Sequence, residues 1–149
     1  MKQDSFTYVI TARCETQKAV RLLSEFSQHS ELHPLIVKVE QVEAPQGILR
    51  RYFITDQLKW GPFAFKIRYR ADILRVSESE ILTEAFQSPN TTVTNHTTLT
   101  RQGDELHIRV KITMQAPDLL FRYAFTQART AHLEMAGRIE KALKLPDTP

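Results

Sequence analysis

The feature that most constrains this chain is one long amphipathic helix near its carboxy-terminal end, predicted from Asp118 to Leu145. Pro117 and Asp118 supply a start signal: proline is tolerated in a first turn, and an Asp side chain can cap free backbone N–H groups. Pro146 stops the helix, because proline cannot continue the hydrogen-bond ladder. Between them Phe121, Ala124, Phe125, Ala128, Ala131, His132, Met135, Ile139 and Ala142 recur at spacings of three and four, a single stripe centred near Ala128. Arg122, Thr126, Arg129, Glu140 and Lys144 fall on the far side, with Glu134–Arg138 and Glu140–Lys144 as exposed i,i+4 pairs. A helix of this length with one apolar face must lie against a broad apolar surface.

Nearly everything upstream reads as the sheet that supplies it. Phe6 to Arg13 alternates as a strand with Phe6, Tyr8, Ile10 and Ala12 on one face. Thr16 reads as a cap, followed by a short helix to about Phe26, and a second short helix covers Gln28 to Leu32. Ile36 to Ala44 is extended, Pro45-Gln46-Gly47 turns, and Ile48 to Leu58 is a strand with apolar residues on both faces, a sign of two-sided burial or a bulge. The clearest strand sets Phe63, Phe65, Ile67, Tyr69, Ala71 and Ile73 against Ala64, Lys66, Arg68, Arg70 and Asp72, a half-buried strand with a solvated basic outer face.

Ile81 to Gln87 and threonine-rich Thr91 to Arg101 are further strands, and Gln102-Gly103-Asp104-Glu105 closes a hairpin into Leu106–Gln115. With Gly103 and Asp104 as the loop, Leu99 faces Ile108 and Thr97 faces Val110. That register turns Val93, Asn95, Thr97 and Leu99 inward and His96 outward. The order is strand, two short helices, six strands, long helix: an α+β chain of about seven antiparallel strands, read as a single domain over residues 1–149.

Composition narrows the function. A content of 42% hydrophobic and 25% charged residues is ordinary for a globular protein, and no apolar run reaches the length of a membrane span. MKQDSFTY contains no apolar signal core and Cys14 has no disulfide partner, which together predict a cytoplasmic protein. The formal charge of +3 is spread among acidic residues, so nucleic acid is not the expected partner. No Gly-rich phosphate loop and no Gly-x-Ser-x-Gly occur. His29 and His33 have an i,i+4 spacing suited to a metal, but no third ligand accompanies them and Pro34 breaks the segment. They are expected on a solvated turn, and neither metal nor cofactor is predicted. The outer row Lys66, Arg68, Arg70, Arg109 and Lys111 is either solubilising or a face for a protein partner.

Two stretches carry a family resemblance. TARCETQKAVRLLSEFSQHSELHPLIVKVEQVE resembles the opening of START-like (SRPBCC) proteins: first strand, short helix ending in Glu25-Phe26, then a His-Pro loop into the second strand. MQAPDLLFRYAF resembles their approach to a gripping helix. The superfamily includes pollen-allergen-like proteins, lipid-transfer domains and polyketide cyclase/dehydrase-like proteins. The resemblance implies a helix-grip fold with a cavity between sheet and helix for a hydrophobic or amphipathic small molecule. Ala124, Ala128 and Ala131 fit such a cavity and equally fit close packing of the helix on Phe63, Phe65 and Tyr69.

The candidate ligand-binding set is Phe65, Tyr69, Asn95, Thr97, Phe125, Ala128, His132 and Met135. His132 stands on the apolar stripe, where an imidazole orients a ligand, acts as a general base, or is simply a satisfied core residue. The Tyr69 hydroxyl meets a ligand or His132, or is satisfied in place. Asn95 and Thr97 on an inward face imply either water or a polar network. Glu84 joins His132 only if Leu82 and Phe86 face inward; if Ile81, Thr83 and Ala85 do, it is solvated. The expected function is binding of a lipid, polyketide or aromatic molecule, with a cyclase/dehydratase using cavity acid/base residues as the alternative.

Overall fold

Alternation of side chains around short turns folds the middle of the chain into a meander, and its first strand closes the far edge. The computed structural model describes residues 1–144, with backbone only at Gln28 and Trp60. Seven strands form one antiparallel sheet: β1 (Lys2–Ala12), β2 (Ile36–Val42), β3 (Arg50–Trp60), β4 (Phe63–Val76), β5 (Glu80–Gln87), β6 (Thr91–Gln102) and β7 (Glu105–Ala116). Their order across the sheet is β1-β7-β6-β5-β4-β3-β2. Between β1 and β2 lie α1 (Thr16–Ser24) and a 3-10 helix (Phe26–Glu31), and α2 (Asp118–Lys144) follows β7. The expected α+β helix-grip architecture is the one observed. The anticipated helix end at Leu145 and Pro146 lies outside the described residues.

Local chemistry fixes the registers. Gly103, at φ +65, supplies the left-handed residue of the β6–β7 hairpin, which pairs Leu99 with Ile108 and Thr97 with Val110 as expected. Irregularities between Ile36 and Lys38 in β2 and between Ile73 and Arg75 in β4 insert an extra residue, which raises local twist and bends the sheet. The second also reverses the phase, so Val76 rather than Arg75 joins the core.

The core divides in two. Ile10, Leu99, Ile108, Val110 and Ile112 of the sheet pack with Met135, Ile139 and Leu143 of α2, while Ile36, Tyr52, Ile54, Ala71 and Ile73 form a second group. Both exposed helix pairs form, Arg138 to Glu134 at 2.8 Å and Lys144 to Glu140 at 2.9 Å.

Three expectations need correction. Thr16 is the first residue of α1 rather than its cap; Glu15 precedes it without a side-chain cap, and the Thr16 hydroxyl accepts from Arg101 at 3.2 Å. The helix stops at Ser24, and the second short helix is a 3-10 turn that begins at Phe26. The outer face of β4 is not uniformly solvated either. Asp72 is only 2% exposed, held by Arg51 at 2.8 and 3.1 Å and by Arg70 at 3.4 Å. Arg68 covers the Phe53 ring at 4.2 Å and Arg70 the Phe86 ring at 4.5 Å. The first of these covers accounts for Phe53 on the outer side of β3.

Candidate functional site

Small residues in the middle of α2 leave a space that the curved sheet does not fill. Ala124 and Ala128, one turn apart, stand over a cavity of about 310 Å³ walled by apolar side chains of the sheet, Leu58, Ile67, Val93 and Ile112 among them. Toward the carboxy-terminal end, Met135 and Ile139 close it. Of the three alanines, Ala124 and Ala128 border the cavity, whereas Ala131 is buried and does not line it. Phe65, Tyr69, Asn95, Thr97, Ala128, His132 and Met135 all line it. Phe125 does not: its ring stacks on Phe121 at 5.2 Å and meets Phe6 of β1 edge-on at 5.6 Å. The apolar stripe is wider than the cavity, and that edge of it is spent on β1.

Polar groups enter at three places. Thr97, 3% exposed, donates its hydroxyl to Asn95 at 2.9 Å, which satisfies the inward polar pair within the protein. Tyr69 does not meet His132; its hydroxyl donates to Asp56 Oδ1 at 3.2 Å. Asp56 follows Tyr52 and Ile54 at alternate positions of β3, on the inner face. Burial pushes its carboxyl up to about 6, against the Tyr69 hydrogen bond, which pulls the other way. Burial, then the neighbouring Asp56 charge, raises the Tyr69 phenol well above its ordinary value.

The third place is a histidine cluster. His29 and His33, expected on a solvated turn, are 6% and 8% exposed. The 3-10 helix packs on β2 and carries His29 inward, and His33 follows two residues after its end. His29 donates from Nε2 to the Leu22 carbonyl at 2.9 Å, and its ring lies 4.6 Å from Phe26. His33 Nδ1 accepts the Leu35 N–H at 3.2 Å, which places its own proton on Nε2. The His33 ring meets His132 edge-on at 5.4 Å, and His132 Nδ1 has a long hydrogen bond with the Tyr8 hydroxyl at 3.4 Å. Burial depresses all three imidazoles, His132 and His29 to about 4 and His33 to about 3, the last also through its histidine neighbours and Arg138. They are neutral at pH 7. Burial raises the Tyr8 phenol.

Glu84 resolves to the solvent side. Ile81 and Thr83 are buried on the inner face, and Glu84 sits opposite Asp72 on the outer one, alternating away from His132. Among the described residues no group of three or more His, Cys, Asp or Glu side chains is placed to hold a metal ion, and no helix is long and apolar enough to cross a membrane. Sequence reasoning missed Tyr8, His33, Asp56 and Thr83 as cavity residues. For Asp56 a signal existed: it keeps the alternate spacing of Tyr52, Ile54 and Leu58.

No protein-family model and no curated protein matches the chain. Solved structures do. The di-domain aromatase/cyclase StfQ from the steffimycin biosynthetic pathway aligns over 95% of this chain at 15% identity and TM-score 0.74, and the chain spans 50% of its length. A START superfamily protein from Mycobacterium smegmatis aligns over 93% of this chain and 98% of its own, at 10% identity and TM-score 0.68. The aromatase/cyclase Zhui from Streptomyces sp. R1128 aligns over 96% and 97%, at 11% identity and TM-score 0.63. The likeness lies in the whole course of the chain rather than in its side chains. With its curved seven-stranded sheet closed over one long helix, the protein has a helix-grip fold, the fold it shares with these solved structures.

Proposed function

We propose that the protein binds an amphipathic small molecule, of the size and character of an aromatic, polyketide or lipid ligand, in the cavity between the sheet and α2. The observation that carries this reading is the cavity itself: about 310 Å³ of space with apolar walls and a few fixed polar groups, the make-up of a small-molecule site. Such a volume left among apolar side chains forgoes packing that a filled core would have, so an occupant stabilises the fold. The reading calls for no metal or cofactor. Native mass spectrometry of the purified protein, followed by organic extraction, tests it. Ala128→Phe, which fills the space, is expected to abolish uptake of apolar fluorescent probes while the protein stays folded. Undiminished uptake by that variant would place binding elsewhere.

A second reading, cyclisation or dehydration of a bound polyketide-like chain, is favoured by a separate observation. Asp56 and Tyr69 are hydrogen-bonded to each other and share the cavity with neutral His132, so proton donors and acceptors face one volume. The aromatase/cyclases with this fold lend it support. A carrier returns a poly-β-ketone unchanged. A cyclase converts it, and His132→Leu or Asp56→Asn then lowers turnover without equal loss of binding.

A further inference from the structure

The cavity contains one charge that the protein does not neutralise. Among the described residues Asp56 has a single hydrogen bond, from Tyr69, and no cation within ion-pair distance. No lysine or arginine is among the residues lining the cavity. The titratable groups facing the same space are Tyr69 from β4, His29 and His33 from the 3-10 segment, Tyr8 from β1, and His132 and Tyr123 from α2. Glu84 of β5 also borders the space, although its side chain alternates to the outer face opposite Asp72, and it adds no positive charge. None of these brings a positive charge at neutral pH.

We propose that Asp56 and Tyr69 form the polar subsite of this cavity, selecting ligands that end in a hydrogen-bond donor, an amine before a hydroxyl, and rejecting carboxylates. This rests on the reading that the cavity holds a small molecule. A carboxylate in an apolar space with one donor is under-solvated, and a ligand cation or donor restores what water provided. A ligand carboxylate brings a second like charge and raises the cost. Tyr69 fixes Oδ1, so Oδ2 is the atom left to the ligand. The subsite also has its own titration window. The carboxyl changes charge near pH 6, whereas the histidines facing it do so near 4 and below.

Calorimetric titration with naphthylmethylamine, naphthalenemethanol and naphthoate tests this at about pH 7.5 and about pH 5. At the higher pH the wild-type protein is expected to bind the amine at least about tenfold more tightly than naphthoate, with the alcohol between. The amine stays cationic at both values, so its affinity is expected to fall about tenfold at the lower pH, where roughly a tenth of Asp56 remains ionised. Asp56→Asn should bind the alcohol less tightly than the wild type does at pH 7.5 and level the amine and naphthoate, at both pH values; its melting curve verifies folding. Equal binding of amine and naphthoate by the wild type, or amine affinity that does not change with pH, overturns the subsite and leaves the cavity reading standing. Failure of all three to bind folded wild-type protein overturns both.

Discussion

The two faces of the sheet each hold an aspartate, on neighbouring strands, Asp72 buried and Asp56 half-buried, and treat it in opposite ways. On the outer face Asp72 is 2% exposed and gripped by the Arg51 guanidinium through two hydrogen bonds, with Arg70 alongside. Inside, Asp56 has one phenol and no cation. The outer carboxylate is satisfied by its own chain, so nothing is left for a ligand. The inner one is left for something else to complete. Burial alone does not separate a structural charge from a functional one; the count of partners does.

The largest test of this contrast is Asp72→Ala. The change gives up two charge-assisted hydrogen bonds from Arg51 and the ion pair with Arg70, and the expected loss is about 3 kcal/mol, on the order of 10 °C in melting temperature. Urea denaturation measures it directly. A loss below about 0.5 kcal/mol would mean that the arginines serve the outer face without this aspartate, and the comparison would fail on that side.

A second effect comes from acid. His29, His33 and His132 have folded-state pKa values below the unfolded value near 6.5. The unfolded chain therefore binds protons first as pH falls, and the stability of burying neutral imidazoles, complete above about 6.5, is lost between there and about 4. Asp56 works the other way. Its folded pKa is above the unfolded one, so acidification from about 6 toward 4 relieves a penalty. Three groups oppose one, so the expected net is a loss of several kcal/mol between pH 6.5 and 4. Melting temperatures across that range check it; a flat profile would mean the histidines are not buried as drawn.

Much of the fold was legible because local rules agreed with one another. The two-residue loop at Gly103-Asp104 and the pairing of Leu99 with Ile108 fixed one hairpin, and the α2 stripe named the helix that closes the sheet. What escaped depends on contacts distant in sequence. His29 and His33 read as a turn beside Pro34, and their burial comes from the Leu22 carbonyl and from His132, which no local pattern reveals. Phe53 on the outer face of β3, covered by Arg68, weakened but did not erase the alternation of Tyr52, Ile54, Asp56 and Leu58 that marks Asp56 as inward. Asp72 read as solvated because a charge on a polar face usually is.

The finest test isolates Asp56. Asparagine keeps the shape and the acceptor for Tyr69 but removes the charge, so it mimics the protonated acid. Because the folded pKa of Asp56 is raised to about 6, its charge destabilises the empty protein above that pH and is neutral in effect below the unfolded value near 4. Asp56→Asn is therefore expected to be more stable than wild type by roughly 2–3 kcal/mol at pH 7.5, with the difference nearly gone by about pH 4. Melting curves of the two proteins at both ends of the range measure it. The corresponding Asp72→Asn change should destabilise under the same conditions, since it discharges a pair instead of an isolated ion. If the two asparagine variants shift stability in the same direction at pH 7.5, the inner carboxylate is as well served by the protein as the outer one, and it has no need of a ligand.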